Sequence, residues 1–437
     1  MRMCWRREKN TEKHKKNLIK FIFSIFYYLH PDFFTYFFKE KITDKRDQNK
    51  AVYPLSYTLC ILLFSIIFRI SSRRKIRAEM EYPLLLKNIR QVIGERRELG
   101  LPHPDTLFRH IEYIDRGEII KIRDGIVDIL QDKRLFERMK VLGGYYAVVI
   151  DGSVIKEYRT EAGKRRLIMI ESVIVSKEGM VIGIDRVIKE CGKGKESEKS
   201  YVKKEIIPRI RRRFRKAKIV LILDALYIDR EILDICKKYG WGYIIVLKGN
   251  GKEVNREFDT MKERYYNESQ HIISKEIEVY YENGIWWIEN NLKDKREVNV
   301  IEAKWRDERG REIRYRYMTN IEISKENAIE VANTGRLRWK IENKIFNEEK
   351  NLGYSLNHIW SKNIKTLEKF LILMQIAHII CSIMENSREG ERIRKALGIG
   401  IVAMWIVIKV EMRMEVVEIE EAKKRKRIKM RWDEDTS

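Results

Sequence analysis

The 437-residue sequence is poor in the residues that mark several protein classes. It has only 6 Pro and 23 Gly, which excludes a collagen-like chain and a disordered chain rich in Pro and Gly. Its 5 Cys are scattered, odd in number and never spaced as C-x-x-C, so we expect neither a disulfide framework nor a cysteine zinc site. This cysteine usage suits a reducing cytosol.

We also expect no membrane span from the most apolar part of the N-terminal region. The run from Leu55 to Phe68 has about 14 residues, whereas a helix needs roughly 20 to cross a bilayer. No small-residue cleavage site follows the basic N-terminus, so a secretory signal is not expected. We interpret residues 55–68 as a buried helix, and a membrane-associated protein remains the alternative.

Acidic residues are outnumbered, because 90 Lys and Arg face 65 Asp and Glu and leave a net charge of +25. Such a chain concentrates near polyanions. Two basic runs, 209–218 and 423–431, would give salt-dependent DNA affinity, although each also fits an exposed helix face or a solubilising tail. In the first run we expect DNA contacts from Arg211, Arg212, Arg213 and Arg215. The second run is interpreted as a flexible tail.

The order of apolar segments predicts an α/β fold. Residues 1 to about 140 have helical periodicity, and three strand-like runs follow, the last two joined by a turn short enough for a hairpin. A helix from Glu198, a strand from Lys218 to Asp224, a second helix and a strand from Gly242 to Leu247 then predict a parallel crossover. This order matches a ribonuclease H-like fold, with a mixed sheet flanked by helices.

A second set of alternating segments, separated by turn-forming residues, predicts a β-rich insertion before helical periodicity resumes near Ser324. The expected organisation therefore has five parts. They are a helical N-terminal region (1–140), the first part of the ribonuclease H-like core (141–250), the β-rich insertion (251–322), the last part of the core with a glutamate-bearing helix (323–390), and a C-terminal helical region with a basic tail (391–437).

Three acidic residues stand at positions that suit a shared site. Asp151 ends the apolar segment YYAVVID, and Asp224 ends KIVLILD. In RWKIEN, Arg338 and Glu342 are four residues apart and share one helix face. Each aspartate alone also fits a turn or a helix cap, and the Arg338 and Glu342 pair alone also fits a surface ion pair.

Taken together, these carboxylates suit metal-dependent phosphodiester chemistry. Two Mg²⁺ ions can activate a nucleophile and stabilise the leaving oxygen. Mg²⁺ prefers oxygen ligands, so no cage of His or Cys is required. We therefore predict that Asp151, Asp224 and Glu342 are both catalytic and metal-binding, with Mg²⁺ as the cofactor and Mn²⁺ as the alternative. Arg338 is expected to orient Glu342 or to contact a DNA phosphate.

Three longer segments resemble the DDE transposases of the insertion-sequence-4-like group. They are VIDGS (149–153), LDALYIDREILDICKKYGWGYIIVLKGN (223–250) and GRLRWKIENKIFNEEKNLGYSLNHIWSKN (335–363). The resemblance extends from about residue 50 onward and aligns Asp151, Asp224 and Glu342 with the catalytic triad of that group. It implies metal-dependent strand cleavage and strand transfer on double-stranded DNA, both element ends and target. It further implies that residues 1–140 bind the DNA ends and that 141–250 and 323–390 form the catalytic core. It also implies a homodimer in the synaptic complex, a nucleoid-associated place in a prokaryotic cytoplasm, and no membrane.

The sequence departs from this group's signature, which is Tyr, two residues, Arg, three residues, Glu, six residues and Lys. Arg338 and Glu342 fit, but Gly335 stands at the Tyr position and Glu349 at the Lys position. Lys350, one residue further, is the candidate replacement for a DNA contact. The alternatives are a ribonuclease H-like metal-dependent nuclease, which would cut without joining, and a catalytically inactive basic protein that binds DNA or a membrane.

Overall fold

The computed structural model describes residues 2–160, 163–192, 197–288, 295–306, 311–356, 360–425 and 427–432. The chain forms two compact units. The first, here the helical unit, comprises Met1–Arg134, Arg186–Ile188 and Phe346–Ser437, and the second, here the sheet unit, comprises Leu135–Asp185 and Lys189–Ile345. Each unit is therefore assembled from stretches that are far apart in the sequence.

Helices make up the helical unit. Proline occupies the first turn of two of them, where its missing N–H costs no hydrogen bond. Asp115 and Glu118 form a capping box at the start of a third. The helices are Arg2–Leu29, Phe33–Thr35, Tyr36–Glu40 (a π turn), Leu55–Ile67, Arg73–Met80, Pro83–Val92, Pro104–Glu112, Arg116–Asp132, Glu348–Asn351, Ile364–Asn386, Arg388–Leu397, Ile401–Met414 and Ile419–Lys423.

Two apolar helices form the centre of this unit. Every residue of Leu55–Ile67 is buried, and this helix packs against Ile364–Asn386. A helix that is apolar on all sides is stable in water only when other elements cover it. Within the described residues, Ile364–Asn386 is also the one helix long and apolar enough to cross a membrane, and 89% of its most apolar window is buried in protein.

The basic run 423–431 is not the flexible tail expected from its composition. In its described part, Ile428 and Met430 are buried, and Met430 forms a β-bridge with Ser387. The backbone N–H of Arg431 also donates to the carbonyl oxygen of Asn386 at 2.9 Å. The apolar side chains that alternate with the basic ones anchor this segment to the helical unit.

The strands of the described residues form one nine-stranded mixed sheet with the order β3-β2-β1-β4-β5-β9-β8-β7-β6. β1 is parallel to β4, β4 is parallel to β5, and β1 is antiparallel to β2. The predicted α/β fold and its parallel crossover are therefore confirmed. The strands are β1 (Tyr146–Thr160), β2 (Gly163–Val175), β3 (Val181–Gly192), β4 (Ile219–Leu223), β5 (Gly242–Val246), β6 (His271–Ile273), β7 (Ile277–Ile288), β8 (Lys295–Arg306) and β9 (Glu312–Thr319).

Strands of the predicted insertion extend this same sheet. β9 pairs antiparallel with β5, through partners such as Ile244 and Thr319, and β8, β7 and β6 follow outward. The insertion begins with a helix, which the alternating pattern did not indicate. The helices and turns of this part of the chain are Phe136–Met139, Glu198–Tyr201, Val202–Ile206, Ile207–Arg213, Ala225–Tyr227, Arg230–Tyr239, Gly249–Gly251, Lys252–Arg264, Glu268–Gln270, Ala328–Arg336, Arg338–Ile341 and Glu342–Asn347.

Candidate active site

Strand register brings the two predicted aspartates to the same level of the sheet. β1 and β4 are neighbours and parallel, and Val149 pairs with Ile222. Asp151 and Asp224 each follow two residues later. β4 ends directly before Asp224, as expected, but the prediction that Asp151 ends its strand is wrong, because β1 continues to Thr160. Both strands are apolar and buried up to their aspartate. Adjacent parallel strands therefore present two carboxylates at one edge, where open α/β sheets bind ligands.

Arg338 joins these aspartates to the predicted glutamate. Its Nη1 donates to Asp151 Oδ2 at 3.2 Å and to Glu342 Oε1 at 2.7 Å. Its Nε lies 4.0 Å from Asp224 Oδ1. Glu342 is one helical turn beyond Arg338, so the helix that starts at Arg338 carries both groups on one face. Three carboxylates from three elements of the sheet unit thus share one cation.

The environment of Asp151 differs from that of Asp224. Burial raises the pKa of Asp151 to about 7, although the Arg338 charge and a hydrogen bond from the Gly152 N–H act in the opposite direction. The negative charges of Glu342 and Glu198 add to the increase. A positive charge placed beside Asp151 would therefore strongly stabilise its ionised form.

Burial acts on the pKa of Asp224 in the same direction, but its cationic neighbours outweigh it. The hydrogen bond from Lys248 Nζ to Asp224 Oδ1, 2.9 Å long, and the charges of Arg338 and Lys248 hold this pKa below its usual value. Asp224 is therefore ionised at neutral pH. Lys248 follows β5, which is the parallel neighbour of β4, and this pairing brings the lysine to Asp224.

The donor set fits a hard divalent cation. Carboxylate oxygens are the ligands that Mg²⁺ and Mn²⁺ take in proteins. The guanidinium of Arg338 shows that the three side chains can face one positive group. Within the described residues, no three His, Cys, Asp or Glu side chains are arranged closely enough to hold an ion without adjustment. Arg338 stands between the carboxylates, so an ion would take over contacts that the guanidinium makes.

Two further polar residues at this site were not predicted from the sequence. The Tyr227 hydroxyl donates to Glu198 Oε1 at 2.5 Å, and Tyr227 belongs to the short turn directly after Asp224. Glu198 is the first residue of a helix whose cap is Ser197. An acidic residue in a first helical turn is common for reasons of capping alone, so the sequence pattern does not distinguish Glu198.

Packing explains why a glycine stands at the tyrosine position of the signature. A β-carbon on Gly335 would lie 2.9 Å from two ring carbons of Tyr317 and 3.0 Å from Cγ2 of Ile244. The helix Ala328–Arg336 therefore contacts the sheet directly at this point. Next to it is a cavity of about 280 Å³, lined by Val246, Ile313, Tyr315, Tyr317, Gly335, Arg336, Arg338 and Trp339.

The other predicted DNA-binding residues lie elsewhere. Arg212 and Arg215 are exposed in and after the helix Ile207–Arg213. Arg211 is half-buried: its Nη1 donates to the carbonyl oxygen of Arg215 at 2.6 Å, and its guanidinium carbon lies 5.3 Å from the centre of the Tyr239 ring. Arg213 is half-buried beside the Phe214 ring. These contacts leave Arg212 and Arg215 as the most accessible cations of the four.

Lys350 lies in the helical unit, where it is half-buried in the helix Glu348–Asn351. Its neighbour Glu349 stands at the lysine position of the signature. The Glu349 carboxylate is fully buried and accepts a hydrogen bond from Arg186 Nη2 at 2.7 Å. The glutamate that stands in place of the signature lysine is thus paired with a buried arginine of the same unit.

Comparison with known proteins identifies the family to which the sequence is similar. The sequence profile of the family described as "Transposase DDE domain" matches residues 142–380, which is more than half of the chain. No match was found among the curated proteins. Among solved structures, a cryo-EM structure of the piggyBac transposase synaptic complex with hairpin DNA is similar, with a TM-score of 0.41 and 8% identity. That similarity covers 90% of this chain and 80% of the other.

Proposed function

Because this chain belongs to the family of transposases with a DDE domain and is therefore a transposase, we propose that Asp151, Asp224 and Glu342 are its catalytic carboxylates. The observation that carries this assignment is the sharing of Arg338 by all three side chains, at 2.7 to 4.0 Å. A set of unrelated surface acids would not converge on one half-buried guanidinium. The register of β1 and β4 supplies the rigid frame that such chemistry requires.

Asp151, Asp224 and Glu342 would hold the divalent cation on which transposases of this family depend, Mg²⁺ by preference or Mn²⁺. When bound, the metal lowers the pKa of an attacking water or hydroxyl and stabilises the leaving oxygen. The chain's own groups provide the rest. Lys248 keeps Asp224 ionised, and Arg338 becomes free to contact a phosphate as it leaves the carboxylates. Arg338 would thus serve as the counterion of the carboxylates and as a ligand of a DNA phosphate.

The substrate we propose is double-stranded DNA, both the ends of the protein's own mobile element and the target. Arg338 and Arg336 border a cavity lined with aromatic rings, and cations with stacking surfaces are the groups that hold nucleotides. Arg212 and Arg215 extend the positive charge over an exposed surface. A direct DNA contact is less accessible to half-buried cations, which would instead add to the overall positive potential that attracts DNA. These cations are Arg211, Arg213 and Lys350.

Joining two element ends requires two sites, so we further propose that the chain acts as a homodimer in the synaptic complex. A net charge of +25 would make self-association unfavourable without DNA. We expect the dimer to form only when element-end DNA neutralises part of this charge. The corresponding place in a cell is the nucleoid of a prokaryotic cytoplasm.

Strand cleavage and strand joining on DNA that carries the sequences flanking the gene test this function. With Mg²⁺, the wild-type protein should release the element end and join it to a second duplex. Asp151→Ala, Asp224→Ala and Glu342→Ala should each lower both activities by at least about a thousandfold, while DNA binding persists, because loss of transition-state stabilisation of about 4 kcal/mol corresponds to that factor.

Glu253→Ala is a matched control, since Glu253 is an exposed acid in the first turn of the helix Lys252–Arg264. It should leave both activities unchanged. Wild-type activity in any of the three triad variants would show that the site is assigned to the wrong residue. Cleavage without joined products would identify a metal-dependent nuclease instead of a transposase.

A further inference from the structure

Glu198 lies against the part of β1 that carries Asp151. A β-carbon on Gly152 would fall 2.4 Å from Glu198 Oε1, 2.5 Å from its carboxyl carbon and 2.7 Å from Oε2. Residue 152 must therefore lack a side chain for this carboxylate to occupy its position. Gly152 directly follows Asp151, and its N–H donates to Asp151 Oδ1 at 2.9 Å. The Glu198 carboxylate is thus in contact with the backbone that holds Asp151.

Tyr227 fixes the same carboxylate from the side of the second aspartate. Its hydroxyl donates to Glu198 Oε1 at 2.5 Å. Tyr227 is fully buried, and its backbone N–H donates to the carbonyl oxygen of Asp224 at 3.0 Å, so the turn that starts at Asp224 also places this hydroxyl. Glu198 therefore bridges the backbone of β1 beside Asp151 and the turn that follows β4.

Charge at the site favours an additional cation. The Glu198 carboxylate lies beside Gly152, which follows Asp151, and accepts a hydrogen bond from Tyr227 in the turn after Asp224. Asp151, Asp224, Glu342 and Glu198 face two cations, Arg338 and Lys248. A carboxylate that is held in place by a buried tyrosine, and that leaves the local charge negative, is suited to an ion and not to an internal salt bridge.

We propose that Glu198 is a fourth carboxylate of the transposase site and holds a divalent cation together with Asp151 and Asp224. Tyr227 is the positioning residue that aims it. This proposal rests on the proposed function, because it takes the two aspartates as metal ligands. Glu198 belongs to a separate helix, so its role can be tested while the triad stays intact.

The test measures Mn²⁺ binding to the purified full-length protein without DNA, by electron paramagnetic resonance of the free ion. Glu198→Gln removes the negative charge but keeps an oxygen that accepts the Tyr227 hydrogen bond. Loss of a group that only orients a metal ligand already costs about 10- to 100-fold in affinity, so we expect at least about a tenfold weaker site. Glu205→Gln is the matched control, since Glu205 is exposed a few residues further along the same helical segment.

Two more variants separate a ligand from a structural residue. Glu198→Cys should weaken Mn²⁺ binding and strengthen Cd²⁺ binding, because a thiolate prefers the softer ion. Tyr227→Phe should weaken Mn²⁺ binding less than Glu198→Gln does. The proposal is overturned if Glu198→Gln binds Mn²⁺ as the wild type does, if Glu205→Gln is weakened equally, or if Glu198→Cys shows no gain for Cd²⁺.

Asp224→Asn distinguishes the failure of this proposal from that of the proposed function. If Asp224→Asn loses Mn²⁺ affinity and Glu198→Gln does not, the triad assignment stands and Glu198 is only structural. If neither variant changes Mn²⁺ affinity, the metal site and the proposed function fall together. Thermal unfolding of each variant shows whether the protein is folded under the conditions of the titration.

Discussion

Replacement of Arg338 by glutamine should destabilise the metal-free protein more than its surface position suggests. The guanidinium is the shared counterion of Asp151 and Glu342, at 3.2 and 2.7 Å, and its side chain is only 14% exposed. A hydrogen bond to a buried charged group contributes about 1.5–3 kcal/mol. Because the Glu342 side chain is 43% exposed, that contact adds only about 0.5 kcal/mol. We therefore expect Arg338→Gln to lower the free energy of unfolding by about 2–3.5 kcal/mol.

Urea denaturation at pH 8, with and without Mn²⁺, measures this effect. The loss should be smaller below pH 7, because burial raises the pKa of Asp151 to about 7 and a protonated carboxyl needs no counterion. Mn²⁺ should stabilise the variant more than the wild type, since the ion no longer competes with a guanidinium. At saturating Mn²⁺, each tenfold gain in affinity adds about 1.4 kcal/mol.

Arg336→Gln is the control for this prediction. It removes the same charge two residues away, where the guanidinium carbon lies 5.0 Å from the centre of the Trp305 ring. A cation–π contact at a partly exposed site contributes about 0.5–1 kcal/mol. Equal stability losses in the two variants, or an equal effect of Mn²⁺ on Arg338→Gln and the wild type, would refute the reasoning that Arg338 is the common counterion of the site.

Three further predictions concern packing, pH and DNA binding. Gly335→Ala should lower stability by about 1–3 kcal/mol, because its β-carbon would lie 2.9 Å from a tyrosine ring, whereas Gly117→Ala, which meets nothing within 4 Å, should not; urea denaturation of both checks this. Burial and a neighbouring arginine lower the pKa of His110 to about 4. The unfolded chain therefore binds this proton first, and stability should fall by up to about 3 kcal/mol as the pH drops from 6.5 to 4, but much less in His110→Gln; acid titration monitored by circular dichroism measures the difference. The double variant Arg212→Ala and Arg215→Ala should reduce the slope of log affinity against log salt by about 2 in fluorescence anisotropy with duplex DNA, and an unchanged slope would exclude phosphate contacts by this pair.

Local pattern was sufficient to predict the sheet and the two aspartates. Each aspartate follows a run of buried apolar residues, which marks the point where the strand first carries charge, although only β4 ends there and β1 continues to Thr160. The parallel pairing of β4 with β5 followed from the strand, helix and strand spacing. Glu342 was found through its resemblance to a known motif, because a glutamate four residues from an arginine has many explanations in a helix.

Contacts between distant segments could not be predicted. Glu198 and Tyr227 meet because two separate turns face each other, and neither residue belongs to a distinctive pattern. The alternation of apolar and polar residues in the insertion fits an independent subdomain equally well. The pairing of β9 with β5 instead makes the insertion part of the main sheet. Arg186 and Glu349 form a fully buried pair across 163 residues of sequence, so the departure at the lysine position had no explanation before the fold was known.

The interleaving of the two units has a consequence for how copies of such a gene decay. Asp151, Asp224, Arg338 and Glu342 all precede residue 346, whereas the helix Ile364–Asn386, the centre of the helical unit, follows it. A copy that acquires a stop codon after Glu342 would still encode all three triad carboxylates. It would nevertheless leave the N-terminal helices without the apolar partner that covers them, and we expect its product to aggregate. In a genome survey, an intact C-terminal helix would therefore be a better mark of a functional copy than an intact triad.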